Sequence, residues 1–292
     1  MNPQTQPSVV ITGASSGIGR DMALYLTECG YRVFAGVRKQ EDADSLAAEA
    51  GAGLTPLFVD VTDDESIVSA AAQVQSTLGD QGLDALVNNA GISVSGPLEL
   101  IPVAQLERQL RVNVTGQVAV TQAFLPALRK ARGRIVFVGS ESGLVTMPLL
   151  GAYSASKHAI EAVANALRVE LYRFGIRVSL IEPGGVKTPI WSKAIDTGSR
   201  DLVQDPALLD LYKHELRLLT TVPKMAEKAA VHARVISRVA RHAMESRFPR
   251  ARYLVGREAF ALKWFMRLTP TWVSDYFMRL TIRVLSRRRS AR

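Results

Sequence analysis

The sequence predicts an α/β fold: a doubly wound parallel sheet with helices on both faces, followed by a C-terminal helical extension. Three observations carry this reading. From Ser8 to Ile181, short β-branched apolar runs alternate with longer helix-forming stretches, the pattern of strands joined by crossover helices. The first run passes directly into a glycine-rich turn and then a helix. Later runs end in small or polar residues, which puts those residues at the sheet edge where ligand crevices form.

Length and composition allow such a fold. The chain has 292 residues, 47% apolar and 22% charged, the balance of a protein that buries a sizeable core. Cys29 is the single cysteine, so no internal disulfide forms. This fits a reducing compartment, and the thiol reads as a small packed residue rather than a nucleophile. Met1–Ser8 has neither the basic nor the apolar region of a secretory signal, and no apolar run approaches the roughly 20 residues that span a bilayer. The expected location is cytoplasmic. The net charge of +9 is uneven: residues 224–292 hold 17 Lys/Arg and 4 Asp/Glu, a net +13, whereas residues 1–223 hold 19 and 23, a net −4. The basicity belongs to the last quarter of the chain. The sequence has no internal repeat, no low-complexity tract and no metal-ligand cluster.

Ser8-Val9-Val10-Ile11-Thr12 reads as the first strand. Gly13-Ala14-Ser15-Ser16-Gly17-Ile18-Gly19 follows, and Arg20–Glu28 is helical, stopped at Gly30. Strand, glycine turn and helix together cradle phosphate. Gly13 permits the tight turn, Gly17 lets the backbone approach a pyrophosphate, and Gly19 lets helix pack closely on strand. The spacing is G-x3-G-x-G rather than G-x-G-x-x-G. Tyr31–Val37 is the second strand, at whose end an acidic residue would bind the ribose 2′-hydroxyl of NAD. Val37 stands there instead, followed by Arg38 and Lys39. Two cations suit a 2′-phosphate and favour NADP(H) over NAD(H); the other reading is a solvated basic turn.

Glu41–Ala50 is helical. Leu57–Val59 is a third strand ending at Asp60-Val61. Asp60 suits the adenine amino group, while Thr62-Asp63-Asp64-Glu65 reads as a helix N-cap with acids in the first turn, continued by Ser66–Leu78. Leu83–Val87 is a fourth strand running into Asn88-Asn89-Ala90-Gly91, small and amide-bearing residues that suit packing on a flat cofactor. Val103–Asn113 and Val114–Arg129 form a long helical stretch in which Asn113, between valines, calls for a specific partner. Arg134–Val138 is a fifth strand ending at Gly139-Ser140. Ile176–Ile181 is a sixth, ending at Glu182-Pro183-Gly184-Gly185-Val186-Lys187-Thr188, where the turn allows close backbone approach and Thr188 can meet a nicotinamide amide.

Tyr153 and Lys157 lie at i and i+4 in a helix-forming run, on one face and one turn apart. A free phenol titrates at about 10, and a nearby ammonium favours phenolate and lowers that value. The pair makes a tunable acid/base for an alcohol oxygen. Ser140, at the end of its strand, can hold a substrate oxygen within reach of the phenol.

These residues resemble the short-chain dehydrogenase/reductase family. The matching motifs are Thr12 to Gly19, Asn88-Asn89-Ala90-Gly91, Asn113, Ser140, Tyr153-x-x-x-Lys157, and Pro183-Gly184 with Thr188, in family order over about residues 8–190. The resemblance implies a single Rossmann-like domain, a nicotinamide cofactor and interconversion of carbonyl and alcohol. It implies that Tyr153 is the proton donor and acceptor, that Lys157 lowers its pKa and holds the nicotinamide ribose, that Ser140 orients the substrate oxygen, and that Asn113 positions a water in the proton relay. It divides the chain into a catalytic domain over residues 1–256, with a lid at about residues 189–222, and a basic extension over residues 257–292.

Met225–Ala243 reads as an amphipathic helix and Pro249–Gly256 as the last strand. The extension mixes Phe265, Trp272, Tyr276 and Phe277 with Lys263, Arg267, Arg279, Arg283 and Arg287-Arg288-Arg289. Two readings stand beside each other: an interfacial helix giving peripheral contact with an anionic membrane, or a helix that packs on the protein and ends in a solvated tail. No nucleic-acid motif is present. The extension and second strand resemble the retinol and hydroxysteroid dehydrogenase branch, which implies a lipophilic alcohol or carbonyl such as a steroid, retinoid or other lipid. The helices Val103–Arg129 and Ser154–Phe174 resemble the family's dimer-forming pair, implying a homodimer or homotetramer. The alternatives are a non-catalytic NADP-binding sensor or scaffold, against which the complete Asn113, Ser140, Tyr153, Lys157 set argues, a reductase of small polar carbonyls, and a membrane-surface protein whose enzymatic domain is secondary.

Overall fold

The structure, a computed structural model, describes residues 6–188, 202–219 and 230–287. Strands β1 (Ser8–Ile11), β2 (Arg32–Val37), β3 (Leu54–Phe58), β4 (Ala85–Asn88), β5 (Arg134–Val138), β6 (Arg177–Pro183) and β7 (Arg252–Val255) form one sheet in the order β3-β2-β1-β4-β5-β6-β7. Every neighbouring pair is parallel. The helices are α1 (Gly17–Glu28), α2 (Gln40–Ala50), α3 (Asp64–Leu78), α4 (Val103–Leu110), α5 (Gly116–Ala131), α6 (Gly151–Glu170), α7 (Pro206–Leu211), α8 (Ala233–Glu245), α9 (Arg257–Leu268) and α10 (Thr271–Arg287).

Successive residues of a strand point to opposite faces, so a fully apolar strand needs cover on both. Val9 and Ile11 pack with Met22 and Leu26 of α1, Leu46 of α2, and Ile236, Ala240 and Met244 of α8. Val10, between them, packs on the other face with Ile67 and Val74 of α3, Phe124 and Leu128 of α5, and Ile160 and Ala164 of α6. The strand order reverses between β1 and β4, as in a doubly wound sheet. A smaller apolar cluster of Val94, Leu100, Ile101, Ala152 and Leu202 lies beside the N-terminus of α6.

Four elements depart from the sequence reading. β3 begins at Leu54 and runs through Pro56; it is an edge strand paired only with β2, where a missing N–H is tolerated. The stretch from Val103 to Arg129 is not one regular helix. Arg111–Thr115 form a π-helical turn between α4 and α5, and such turns often mark functional positions. The N-cap of α3 falls where expected, in the Thr62–Glu65 run, at Asp63, whose carboxylate accepts from the backbone N–H groups of Glu65 and Ser66. The helix expected over Met225–Ala243 is not continuous: α8 starts at Ala233, just after Val231 pairs with Val186 as a parallel bridge, and residues 225–229 lie outside the described residues. Within α8, Arg234 is tied to α1 through Asp21 at 3.2 Å and Glu28 at 2.8 Å, so part of the C-terminal basicity serves packing. The extension is two helices rather than one.

Phe124 is among the largest fully buried side chains. Phe124→Ala should destabilise the protein by about 3–5 kcal/mol, read as a lowered denaturation midpoint with an unchanged slope.

Candidate active site

The residues singled out in the sequence follow the C-terminal ends of six parallel strands. Gly13, Ser15, Ser16, Gly17, Ile18 and Gly19 follow β1; Arg38 and Lys39 follow β2; Asp60 and Val61 follow β3. Asn89, Ala90 and Gly91 follow β4, Ser140 follows β5, and Pro183 ends β6 ahead of Gly184, Val186 and Thr188. Parallel strands therefore bring them to one edge. Trp191 and the parts of the expected lid at 189–201 and 220–222 lie outside the described residues.

Thr12 ties the two strands at the reversal. Its hydroxyl accepts from the N–H of Asn89 at 3.0 Å and of Ala90 at 3.1 Å. The Asn89 amide returns two hydrogen bonds, to the carbonyls of Thr12 (2.9 Å) and Gly13 (3.0 Å). Gly13 and Gly17 have φ of +67° and +59°, a region that suits glycine. A Cβ on Gly19 would lie 2.3 Å from the Gly13 carbonyl oxygen and 2.4 Å from Asn89 Nδ2, so only glycine fits there. The first turn of α1 has no acidic residue and no side-chain cap. A helix N-terminus of this kind suits a phosphate group. The residues present thus fit the diphosphate of a dinucleotide.

At the end of β2, the Arg38 side chain is 69% exposed and its Nη1 lies 3.6 Å from Asp60 Oδ2. Lys39 is also exposed. Asp60 Oδ1 accepts from the N–H (2.9 Å) and hydroxyl (2.7 Å) of Thr62. Burial alone would raise this carboxyl; the two Thr62 bonds and the Arg38 guanidinium outweigh it and hold it below its ordinary value. Asp60 is thus distinct from the helix cap at Asp63.

On the other side of the reversal, Lys157 is buried and its Nζ donates to the Val138 carbonyl at 2.9 Å. The same nitrogen lies 5.7 Å from the centre of the Tyr153 ring. Tyr153 is only 6% exposed. Its phenol is pushed up to about 12 by burial, with the Ser140 hydrogen bond pulling it down and the Glu141 charge pushing it up. Burial likewise pulls Lys157 down to about 8, opposed by Glu161. Burial, which disfavours the charged form of both partners, acts against the lowering of the phenol expected from their spacing along the helix. Ser140 Oγ also accepts from the N–H of Ser142 at 3.1 Å.

Asn113 sits in the π turn, fully buried. Its Oδ1 accepts from Ile92 N at 2.9 Å, and its Nδ2 donates to Ile92 O at 2.9 Å and to Ser156 Oγ at 3.0 Å. Ser156 in turn donates to the Tyr153 carbonyl at 2.7 Å. One amide therefore links the loop after β4 to the helix that carries Tyr153. Gln117, which the sequence reading missed, donates to the Ala90 carbonyl at 2.8 Å; its place in a helix gives no sign of that partner. Pro183-Gly184 is fixed by a Gly184 N–H to Val255 carbonyl bond of 2.8 Å. Val186 is buried and Thr188 partly buried.

The model of the short chain dehydrogenase family matches residues 7–198. The chain is 35% identical over 271 residues to the NADPH-dependent 3-dehydrocapnine reductase of Ornithobacterium rhinotracheale, covering 91% of this chain and 94% of that protein. It is 35% identical over 292 residues to estradiol 17-beta-dehydrogenase 2 of Mus musculus, covering 95% of this chain and 75% of that one. In three dimensions it is similar to a short-chain dehydrogenase from Streptomyces avermitilis, with a TM-score of 0.76, 26% identity, and coverage of 95% and 96%. With the sheet order, the glycine turn and the Tyr153–Lys157 pair in place, the chain belongs to the short-chain dehydrogenase family of NAD(P)-binding oxidoreductases.

Proposed function

We propose that the protein is an NADP-dependent oxidoreductase that interconverts an alcohol and a carbonyl on a lipophilic substrate, with Tyr153 as acid/base. The observation that carries this is the Tyr153 phenol, buried, bonded to Ser140 and set one helical turn from Lys157. The nicotinamide, when bound, supplies the hydride acceptor or donor. Tyr153 gives or takes the proton of the substrate oxygen, and Ser140 holds that oxygen in reach. Asn113 fixes the loop after β4 against α6, consistent with a water-positioning role in the proton relay. Lys157 would hold the nicotinamide ribose and favour phenolate when charged. A phenol held up by burial is protonated at neutral pH and can give that proton to a carbonyl oxygen.

Gly13, Gly17 and Gly19 with α1 would hold the diphosphate. Arg38 and Lys39 would take the 2′-phosphate, and Asp60 the adenine. NADP(H) over NAD(H) is supported by the exposed cations at the end of β2 and by a relative named as NADPH-dependent. Asn89, Ala90, Gly91, Pro183, Gly184, Val186 and Thr188 would line the cofactor. A lipophilic substrate is supported by similarity to a protein named for estradiol. We place the protein in the cytoplasm as a homodimer or homotetramer built on α4, α5 and α6.

The extension bears on substrate access. Ala259 of α9 packs beside Gly184, where a Cβ would lie 3.2 Å from its own. Beyond it, Phe260, Trp264, Leu268, Trp272, Tyr276 and Phe277 are exposed, and Arg279 and Arg283 are exposed among them. No helix among the described residues is long and apolar enough to cross a membrane. Aromatic and cationic side chains on a helix pair next to the Pro-Gly turn favour peripheral contact with an anionic bilayer.

Tyr153→Phe should lower turnover by at least about 1,000-fold and leave NADPH affinity within about twofold; turnover near the wild-type rate would refute the acid/base role. Deleting Glu258–Arg292 should abolish flotation with anionic vesicles, and flotation of the truncated protein would remove the membrane role.

A further inference from the structure

One helical turn beyond Lys157, α6 carries Glu161, so that Tyr153, Lys157 and Glu161 follow one another at intervals of four along one face. Glu161 is buried and meets two groups from neighbouring strands. Arg252 of β7 places Nη1 2.5 Å from Glu161 Oε2 and 2.6 Å from Glu182 Oε1 of β6. Glu182 is fully buried, whereas the Arg252 side chain is 32% exposed, giving the cluster one edge toward solvent. Glu161 Oε2 has the Arg252 ion pair, whereas Glu161 Oε1 and Glu182 Oε2 accept no well-aligned hydrogen bond among the described residues. The turn after β5 packs closely on Glu161: a Cβ on Gly143 would lie 3.1 Å from Glu161 Oε1. Glu161 thus faces Glu182 on β6 and Arg252 on β7, one helical turn from Lys157 on its own helix, while α9 meets the nearby turn at Gly184 through the uncharged Ala259.

Two carboxylates around one guanidinium in a low-dielectric setting leave one negative charge in excess. A proton on Glu161 removes it and turns an acceptor into an O–H donor, which Glu182 can accept. In keeping with this, burial first and the Glu182 charge second hold the Glu161 carboxyl well above the usual carboxylate range, against the pull of Arg252.

We propose that Glu161 is a positioning residue that stores a proton at neutral pH and, on releasing it to solvent as pH rises, leaves a carboxylate charge that keeps Lys157 an ammonium. This rests on the Tyr153–Lys157 reading and names a control on that pair. The step breaks only the Glu161 O–H bond; the electron pair stays on the carboxylate. Glu182 sets when the step occurs, because its negative charge resists ionisation of Glu161. Arg252 opposes it.

The test follows Lys157 directly, by the pH dependence of its ¹³Cε resonance in ligand-free protein, assigned by its loss in Lys157→Arg. It is paired with pH profiles of kcat/KM. Glu161→Gln should lower the Lys157 midpoint, and the alkaline limb of the profile, by about one pH unit. Glu161→Asp should restore most of the shift. Glu182→Gln, which frees Glu161 to ionise earlier, should move the Lys157 midpoint upward. Opposite movements from two neighbouring isosteric changes are not what a general loosening of the packing produces. Lys157 midpoints that stay put, or that move the same way in Glu161→Gln and Glu182→Gln, overturn the proposal. Because the resonance needs no turnover, this outcome is separate from any failure of the proposed reaction, which Tyr153→Phe tests.

Discussion

An ammonium buried beneath the edge of the sheet is the constraint on which the site depends. Lys157 cannot leave water without a partner, since an unpaired buried charge costs several kcal/mol. Its partner is the Val138 carbonyl at the last residue of β5. That bond sets the height and rotation of α6 against the sheet. Ser140 is two residues further along the same chain segment, and Tyr153 one turn earlier on the same helix. The strand end, the hydroxyl, the phenol and the ammonium are therefore positioned by a single contact between helix and sheet. Asn113 adds the loop after β4 to the same unit through Ile92 and Ser156.

The two halves of the edge are built differently. Around β1, β2 and β4 the work is done mostly by backbone: the glycine turn, the carbonyls held by Asn89, and the N–H groups held by Thr12. Such a surface suits a ligand whose chemistry is fixed. Around α6 and the loops after β4 and β5 the side chains dominate, with the apolar residues Val94, Ile101, Ala152 and Leu202 nearby. Loops and side chains vary freely on a constant sheet, which is why reaction class follows from the fold and site more directly than substrate does.

The sheet was legible because each buried strand is a short apolar run, and most boundaries fell within a few residues of the expected ones. The site motifs were legible because parallel strands bring their C-terminal ends together whatever lies between. The π turn at Asn113 was not, since one extra residue in a turn leaves no mark in the apolar spacing. The break before α8 was missed because Val231 continues the helical pattern yet is claimed by Val186. The burial acting on the phenol was missed because spacing along a helix reports a neighbouring charge but not the depth at which both groups lie. Glu161 was half visible, four residues after Lys157. Its partners Glu182 and Arg252 read as a turn and a strand, and only the pairing of β6 with β7 brings them together.

The most direct test of the account is a fluorescence titration of the purified protein with NADPH and with NADH, followed by addition of steroid ketones, retinals and long-chain aldehydes. The account predicts tighter binding of NADPH, and loss of its fluorescence by oxidation with at least one lipophilic carbonyl. Binding of either nucleotide without turnover on any of these carbonyls would contradict it, and would point to small polar carbonyls or to a sensor that reads the cofactor.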